Sequence, residues 1–218
     1  MNVIFRLDRA RGVLFDGRGA CFDPARRAWD AAIDASATGT GEAVDAVTAA
    51  TWLQRESGAP LRVPIGVIGP REATPAQLAA AEAVGRGLGA MGLAVVCGGR
   101  HGVMEAVCRG AAAAGGTTIG ILPDTDPSFA NPHVGVVIAT GIGEARNALI
   151  ARAAKCLVAI GDSYGTLSEV ALGRQFGKRV IGIEGAARVD GVVHVADAAA
   201  ALAEVALDVL AVDGDPIR

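Results

Sequence analysis

Apolar residues along this chain gather in short runs, and between the runs apolar and polar positions recur at helical spacing. From residue 63 onward the runs fall at 63–68, 93–97, 117–122, 134–139, 156–160, 179–183 and 192–195, and each reads as a strand. The segments between them read as helices. One opens at Thr74-Pro75-Ala76-Gln77, where Thr is an N-cap, Pro sits at the first helical position and Gln completes a capping box. Others run from Gly102 to about residue 114, from near Gly143, from Thr166 to about residue 176, and over about 197–212. Strands alternating with helices require crossover connections, which give a parallel sheet. Right-handed crossovers leave helices on both of its faces. The expected fold is α/β, a doubly wound, mainly parallel sheet. Ligands of such sheets bind beyond the carboxyl ends of the strands, which directs attention to the turns after Ile68, Cys97, Ala139 and Ile160.

The first 60 residues follow a different pattern. Strands are expected at 2–7 and 13–16, a helix from near Pro24, a small-residue linker at 36–41 and a second helix over about 42–55. No chemistry is legible there. The division expected is an N-terminal extension, 1–60, serving packing or dimer contacts, and a ligand-binding domain, 61–218.

Composition narrows the function classes. The chain has 218 residues, 51% hydrophobic but only 4% aromatic, so its core is built from Ala, Val, Leu and Ile. That is the usual make-up of buried parallel strands. Twenty basic residues against 23 acidic ones give a net charge of −3, which calls for neither nucleic acid nor an acidic membrane surface. Nearly all the positive charge is arginine; the only lysines are Lys155 and Lys178. The cysteines Cys21, Cys97, Cys108 and Cys156 form no C-x-x-C pair, so reduced thiols and a cytoplasmic location are expected. Neither a signal peptide nor a membrane span is read. A mean hydropathy of +0.40 without such a span points to surfaces covered in a homodimer or larger homo-oligomer.

Three turns carry candidate chemistry. In Cys97-Gly98-Gly99-Arg100-His101-Gly102-Val103-Met104, glycines at a strand end let backbone N–H groups approach a ligand, and the following helix offers a positive dipole end. Packing of a tight turn would need the same glycines. Gly161-Asp162-Ser163-Tyr164-Gly165-Thr166-Leu167-Ser168-Glu169 repeats the design, with hydroxyls on Ser163 and Thr166. If the two turns lie on neighbouring strands, Gly98, Gly99, Gly102, Gly165 and Thr166 are expected to share one anion. Thr166-x-x-Glu169 also reads as a capping box, so Glu169 caps its helix, faces the cleft, or does both, the two roles being compatible. In Gly141-Ile142-Gly143-Glu144-Ala145-Arg146-Asn147, Arg146 falls in the first turn of a helix, where the dipole disfavours a cation. It is either solvated or matched by an anion, a ligand phosphate or Glu169. Gly69-Pro70-Arg71, after the first strand, completes the ring of turns and is not the G-x-G-x-x-G of a dehydrogenase.

At these residues the chain resembles the Rossmann-like superfamily of the cytokinin-activating phosphoribohydrolases, the molybdenum-cofactor carrier proteins and the related DNA-processing proteins. The hydrolases carry G-G-G-x-x-G-L-M, an Arg-Lys pair at a helix start and P-G-G-x-G-T-x-x-E. The matching residues here are Cys97 to Met104, Arg146-Asn147, and Gly161 to Glu169. Arg146 and Glu169 lie 23 residues apart, the spacing of the hydrolase arginine and glutamate. Gly161-Asp162-Ser163 replaces Pro-Gly-Gly and Asn147 replaces the lysine, changes nearer the carrier branch. The resemblance spans about residues 63–184 and implies a Rossmann-like carrier of a phosphorylated, nucleotide-like ligand. Molybdenum cofactor or a nucleotide would be its cargo, and no cofactor would be required. The alternative it implies is a nucleoside 5′-monophosphate phosphoribohydrolase with Arg146 and Glu169 as catalytic residues. In either case the ligand set would be Gly69, Pro70, Arg71, Gly98, Gly99, Arg100, Gly102, Met104, Arg146, Asn147, Gly161, Ser163, Tyr164, Gly165, Thr166 and Glu169, with no metal ligands.

Overall fold

The computed structural model describes residues 4–31 and 41–212. They form two compact units: the described residues up to Leu61 with those from Ala203 onward, and Arg62–Leu202.

The first unit holds a five-stranded antiparallel sheet of order β4-β3-β2-β1-β5. Its strands are β1 (Phe5–Asp8), β2 (Val13–Phe15), β3 (Cys21–Asp23), β4 (Ala28–Asp30) and β5 (Glu42–Val44). The helix expected from Pro24 is absent; a hairpin turn between β3 and β4 takes its place. The Asp23 carboxylate accepts from the Ala25 and Arg26 N–H groups and bends the chain back. Phe22 then lies 5.0 Å from Trp29, and Trp29 stacks on Phe5 at 5.8 Å, the cross-strand aromatic contact that favours strand over helix. The helix expected from residue 42 starts later. Glu42–Val44 pairs with β1, and Asp45 caps α1 (Ala46–Arg55) by accepting from the Thr48 N–H at 2.8 Å. The expected linker lies almost wholly outside the described residues.

The second unit is the expected α/β sheet. Its strands are β6 (Ile65–Ile68), β7 (Val95–Cys97), β8 (Thr118–Leu122), β9 (Val136–Ala139), β10 (Leu157–Ile160), β11 (Val180–Ile183) and β12 (Val192–His194). All are parallel, in the order β12-β11-β10-β6-β7-β8-β9. Its helices are α2 (Pro75–Met91), α3 (Val103–Ala113), α4 (Asn147–Ala153) and α5 (Tyr164–Gln175), while α6 (Ala198–Val209) begins in this unit and its residues from Ala203 belong to the first. Thr74 and Gln77 make the expected reciprocal capping box on α2.

The strand order corrects one expectation. β7 and β10 are not neighbours; β6 lies between them. β9 and β10, consecutive in the chain, are separated by β6, β7 and β8. The chain builds outward from β6 to the β9 edge, then returns to place β10 on the other side of β6. That reversal is the switch point at which such sheets open a crevice.

Packing follows from small residues. α2 and α3 approach so closely that a Cβ on Gly85 or Gly110 would overlap a backbone carbonyl of the opposite helix. On the sheet, Ile68, Val96, Leu157 and Ala159 bury with Ile150 and Ala151 of α4, its C-cap Ala154, and Val170 of α5. Each such aliphatic side chain removed from water contributes about 1.5–3 kcal/mol for the larger residues. β9 differs: all four of its residues are exposed. Among the described residues no helix is long and apolar enough to cross a membrane.

Candidate functional site

The carboxyl ends of β6, β7 and β10 meet at a cavity of about 740 Å³. Gly98 follows β7 and has a physical reason to be glycine. A Cβ there would lie 2.7 Å from Arg146 Nη2 and 2.7 Å from Met104 Sδ. The guanidinium therefore rests directly on the turn. Asn131 pins the same turn by donating to the Gly99 and Arg100 carbonyls at 3.1 and 2.9 Å. Beneath it, the buried thiols of Cys97 and Cys108 lie 3.5 Å apart, and Cys97 Sγ accepts from the Gly99 N–H at 3.3 Å. The hydrogen bond with the Cys108 thiol, and then burial, push Cys97 well above the usual thiol range.

α5 begins at the end of β10. Its N-cap is Ser163, whose Oγ accepts from the Thr166 N–H at 3.1 Å and lies 2.9 Å from the Thr166 hydroxyl. This settles the two readings of Glu169. The cap position is already filled by Ser163, and Glu169 lies a turn further on, where its Oε1 accepts from Arg146 Nη1 at 3.2 Å. Arg146 ends a 3-10 turn (Gly143–Arg146) that leads into α4. A second set of bonds joins these helix starts: Arg146 Nη1 donates to Asn147 Oδ1, Asn147 Nδ2 to Ser168 Oγ at 2.8 Å, and Ser168 Oγ to the Gly165 carbonyl at 2.7 Å. The loop returning from the β9 edge is thereby tied to α5, which is how residues from distant strands meet.

Both charged partners are nearly enclosed, Arg146 at 4% and Glu169 at 6% exposure. Arg146 Nε is buried without a hydrogen-bond partner among the described residues. Burial pushes the Glu169 carboxyl up to about 8; the Arg146 guanidinium pulls it down and Glu144 pushes it further up. Burial outweighs the ion pair because the pair is a single contact at 3.2 Å rather than a bidentate one. Burial thus favours the protonated form of Glu169.

Of the residues expected from the sequence, Gly69, Pro70, Arg71, Gly98, Met104, Arg146, Asn147, Ser163, Tyr164, Gly165, Thr166 and Glu169 line the cavity. Gly99, Arg100, Gly102 and Gly161 are not among its lining residues. Arg100 pairs with Asp124 at 2.9 Å and sits 5.4 Å over the Phe129 ring. Gly102 starts α3 against the Pro70 and Arg71 carbonyls, and the Val103 N–H donates to Pro70 O at 3.1 Å. The start of α3 is thus held by protein, and α5 presents the open helix start through Tyr164 and Gly165. The cavity adds Ile68, Glu72, Glu144, Asp162 and Ser168. None of these five was among the expected site residues. Only its place two residues before Arg146 marks Glu144 in the sequence.

A family model, the SLOG cluster4 family, matches residues 62–208, the segment that carries this sheet and cavity. The chain belongs to the SLOG cluster4 family. This SLOG cluster4 protein is similar in structure to the molybdenum cofactor binding protein of the phototrophic bacterium Rippkaea orientalis, at 34% identity and a TM-score of 0.62, over 66% of this chain and 96% of that one. It is similar to the molybdenum cofactor carrier protein of Chlamydomonas reinhardtii at 35% identity and a TM-score of 0.62, over 67% of this chain and 98% of that one. An uncharacterised protein of Archaeoglobus fulgidus is 36% identical over 127 residues, 58% of this chain and 83% of that protein. The resemblance read from the motifs and the Rossmann-like fold both hold for this SLOG cluster4 protein. Among its described residues no group of three or more His, Cys, Asp or Glu side chains is placed to hold a metal ion.

Proposed function

We propose that this protein is a carrier that holds a phosphorylated pterin-type ligand, molybdenum cofactor, as cargo in the cavity at the switch point. The observation that carries the reading is Arg146: a guanidinium buried at the cavity wall, resting on Gly98, with Nε unpartnered. A buried cation of this kind needs an anion, and burial weakens Glu169 in that role by favouring its protonated form. Support also comes from the similar proteins of Rippkaea orientalis and Chlamydomonas reinhardtii, which bind or carry molybdenum cofactor. The cavity volume of about 740 Å³ suits a small molecule. Arg71, Arg146 and the start of α5 offer positive partners for a phosphate. Glu72 and Asp162 offer acceptors for the amino and imino hydrogens of a pterin ring.

The test is cargo analysis of protein purified from cells that make the cofactor, by pterin fluorescence after denaturation and by elemental molybdenum. The reading expects both in near-equal amounts with protein; no pterin, and no uptake of added cofactor, would end it.

A second reading is favoured by one observation, the buried Glu169 carboxyl in the cavity lining, which burial pushes up to about 8. In a phosphoribohydrolase this group, as the acid, would give its proton to the departing base while water adds to the ribose C1′ and returns its second proton to the carboxylate, leaving ribose 5-phosphate. Chromatography of a nucleoside monophosphate panel separates the two readings: the carrier releases no free base.

A further inference from the structure

We propose that Glu144 is a built-in stand-in for the ligand's phosphate: its carboxylate bridges Arg71 and Arg146 across the cavity, and an incoming phosphate takes its place. Glu144 Oε1 lies 3.5 Å from Arg71 Nη2, and Oε2 lies 3.7 Å from Arg146 Nη2. One carboxylate thus spans the two guanidinium groups of the cavity lining, the arrangement a phosphate with several oxygens would also adopt.

Three features make it exchangeable. Both contacts are longer than hydrogen bonds. The side chain is 65% exposed, so release returns it to water at little cost. It stands on the 3-10 turn Gly143–Arg146, with Gly141 and Gly143 at φ 67° and 62°, and a Cβ at Gly143 would meet nothing. There is room for the turn to shift.

The need for a stand-in follows from the buried charges. Arg146 is enclosed, and burial pushes its inner partner Glu169 toward the neutral acid. Glu144 is the other carboxylate against this guanidinium. Both of its contacts are long and its own side chain is solvated, so the competition sets affinity without blocking binding.

This inference rests on the reading of the cavity as an anion site. Its test is calorimetric titration of ribose 5-phosphate, at low and at physiological ionic strength, into wild type, Glu144→Gln and Glu72→Gln. Glu72 lines the same cavity, so its variant controls for the general loss of negative charge. The expected result is three- to tenfold tighter binding, on the order of the two contacts' combined contribution, in Glu144→Gln. A smaller gain is expected in Glu72→Gln, and the difference should shrink as salt screens the pairs. Equal gains in the two variants, or no gain in Glu144→Gln while wild type binds, would overturn the stand-in and leave the proposed function intact. No binding by any of the three would remove the anion site itself, and both proposals with it.

Discussion

Replacing Glu169 with glutamine tests the energetic core of the site. The amide keeps the shape and can still accept from Arg146 Nη1 through its oxygen, but it cannot ionise. In the wild type, burial raises the carboxyl from 4.5 to about 8. Between those values the folded protein binds a proton that the unfolded chain has released, so stability falls as pH rises and levels off above about 8. At about 1.4 kcal/mol per pH unit, the full swing is about 5 kcal/mol, with about 3 kcal/mol already lost at pH 7. The variant has no such slope. Urea denaturation of both proteins from pH 4.5 to 9 measures it. Near pH 4.5 the two should agree within about 1 kcal/mol, since both side chains are neutral. By pH 8.5 Glu169→Gln should be the more stable by several kcal/mol. Parallel curves, or a variant that loses ground as pH rises, would refute the claim that burial dominates Glu169.

The same titration should reach the ligand: ribose 5-phosphate affinity should fall as pH rises through about 8, where an ionised Glu169 repels the phosphate and competes for Arg146, and a flat profile in Glu169→Gln checks the assignment. Arg146→Ala should weaken binding at least tenfold, about 1.4 kcal/mol, by calorimetry. Gly98→Ala drives a methyl into Arg146 Nη2 and Met104 Sδ, so a stability loss of about 1–3 kcal/mol and weaker binding are expected by denaturation and titration. Light scattering at micromolar concentration should give a dimer or larger, since β9 is an edge strand exposing Val136, Val137 and Ile138; a monomer mass would contradict this.

The parallel sheet was legible because its central strands are buried on both faces and, with the exposed β9, read as unbroken apolar runs between helix signals such as Thr74-Pro75-Ala76-Gln77. Their order was not legible, because periodicity says which residues form a strand and nothing about which strand lies beside it. Hence β6 between β7 and β10 came only from the structure. The hairpin at Pro24 was misread because Asp before Pro suits a helix start and a tight turn equally; the Phe22–Trp29 contact across the hairpin decided it. Thr166-x-x-Glu169 fitted a capping box, but Ser163 had taken the cap, which freed Glu169 to meet Arg146. Glu144 stayed hidden because an exposed glutamate in a glycine-rich loop carries no pattern of its own.

The most direct measurement is a structure of the protein with molybdenum cofactor or its pterin phosphate bound. Phosphate oxygens are expected within hydrogen-bond distance, about 3 Å, of the Arg146 guanidinium and close to the start of α5, with Glu144 turned away. A ligand bound elsewhere, or one whose phosphate avoids Arg146 while Glu144 still bridges Arg71 and Arg146, would contradict it.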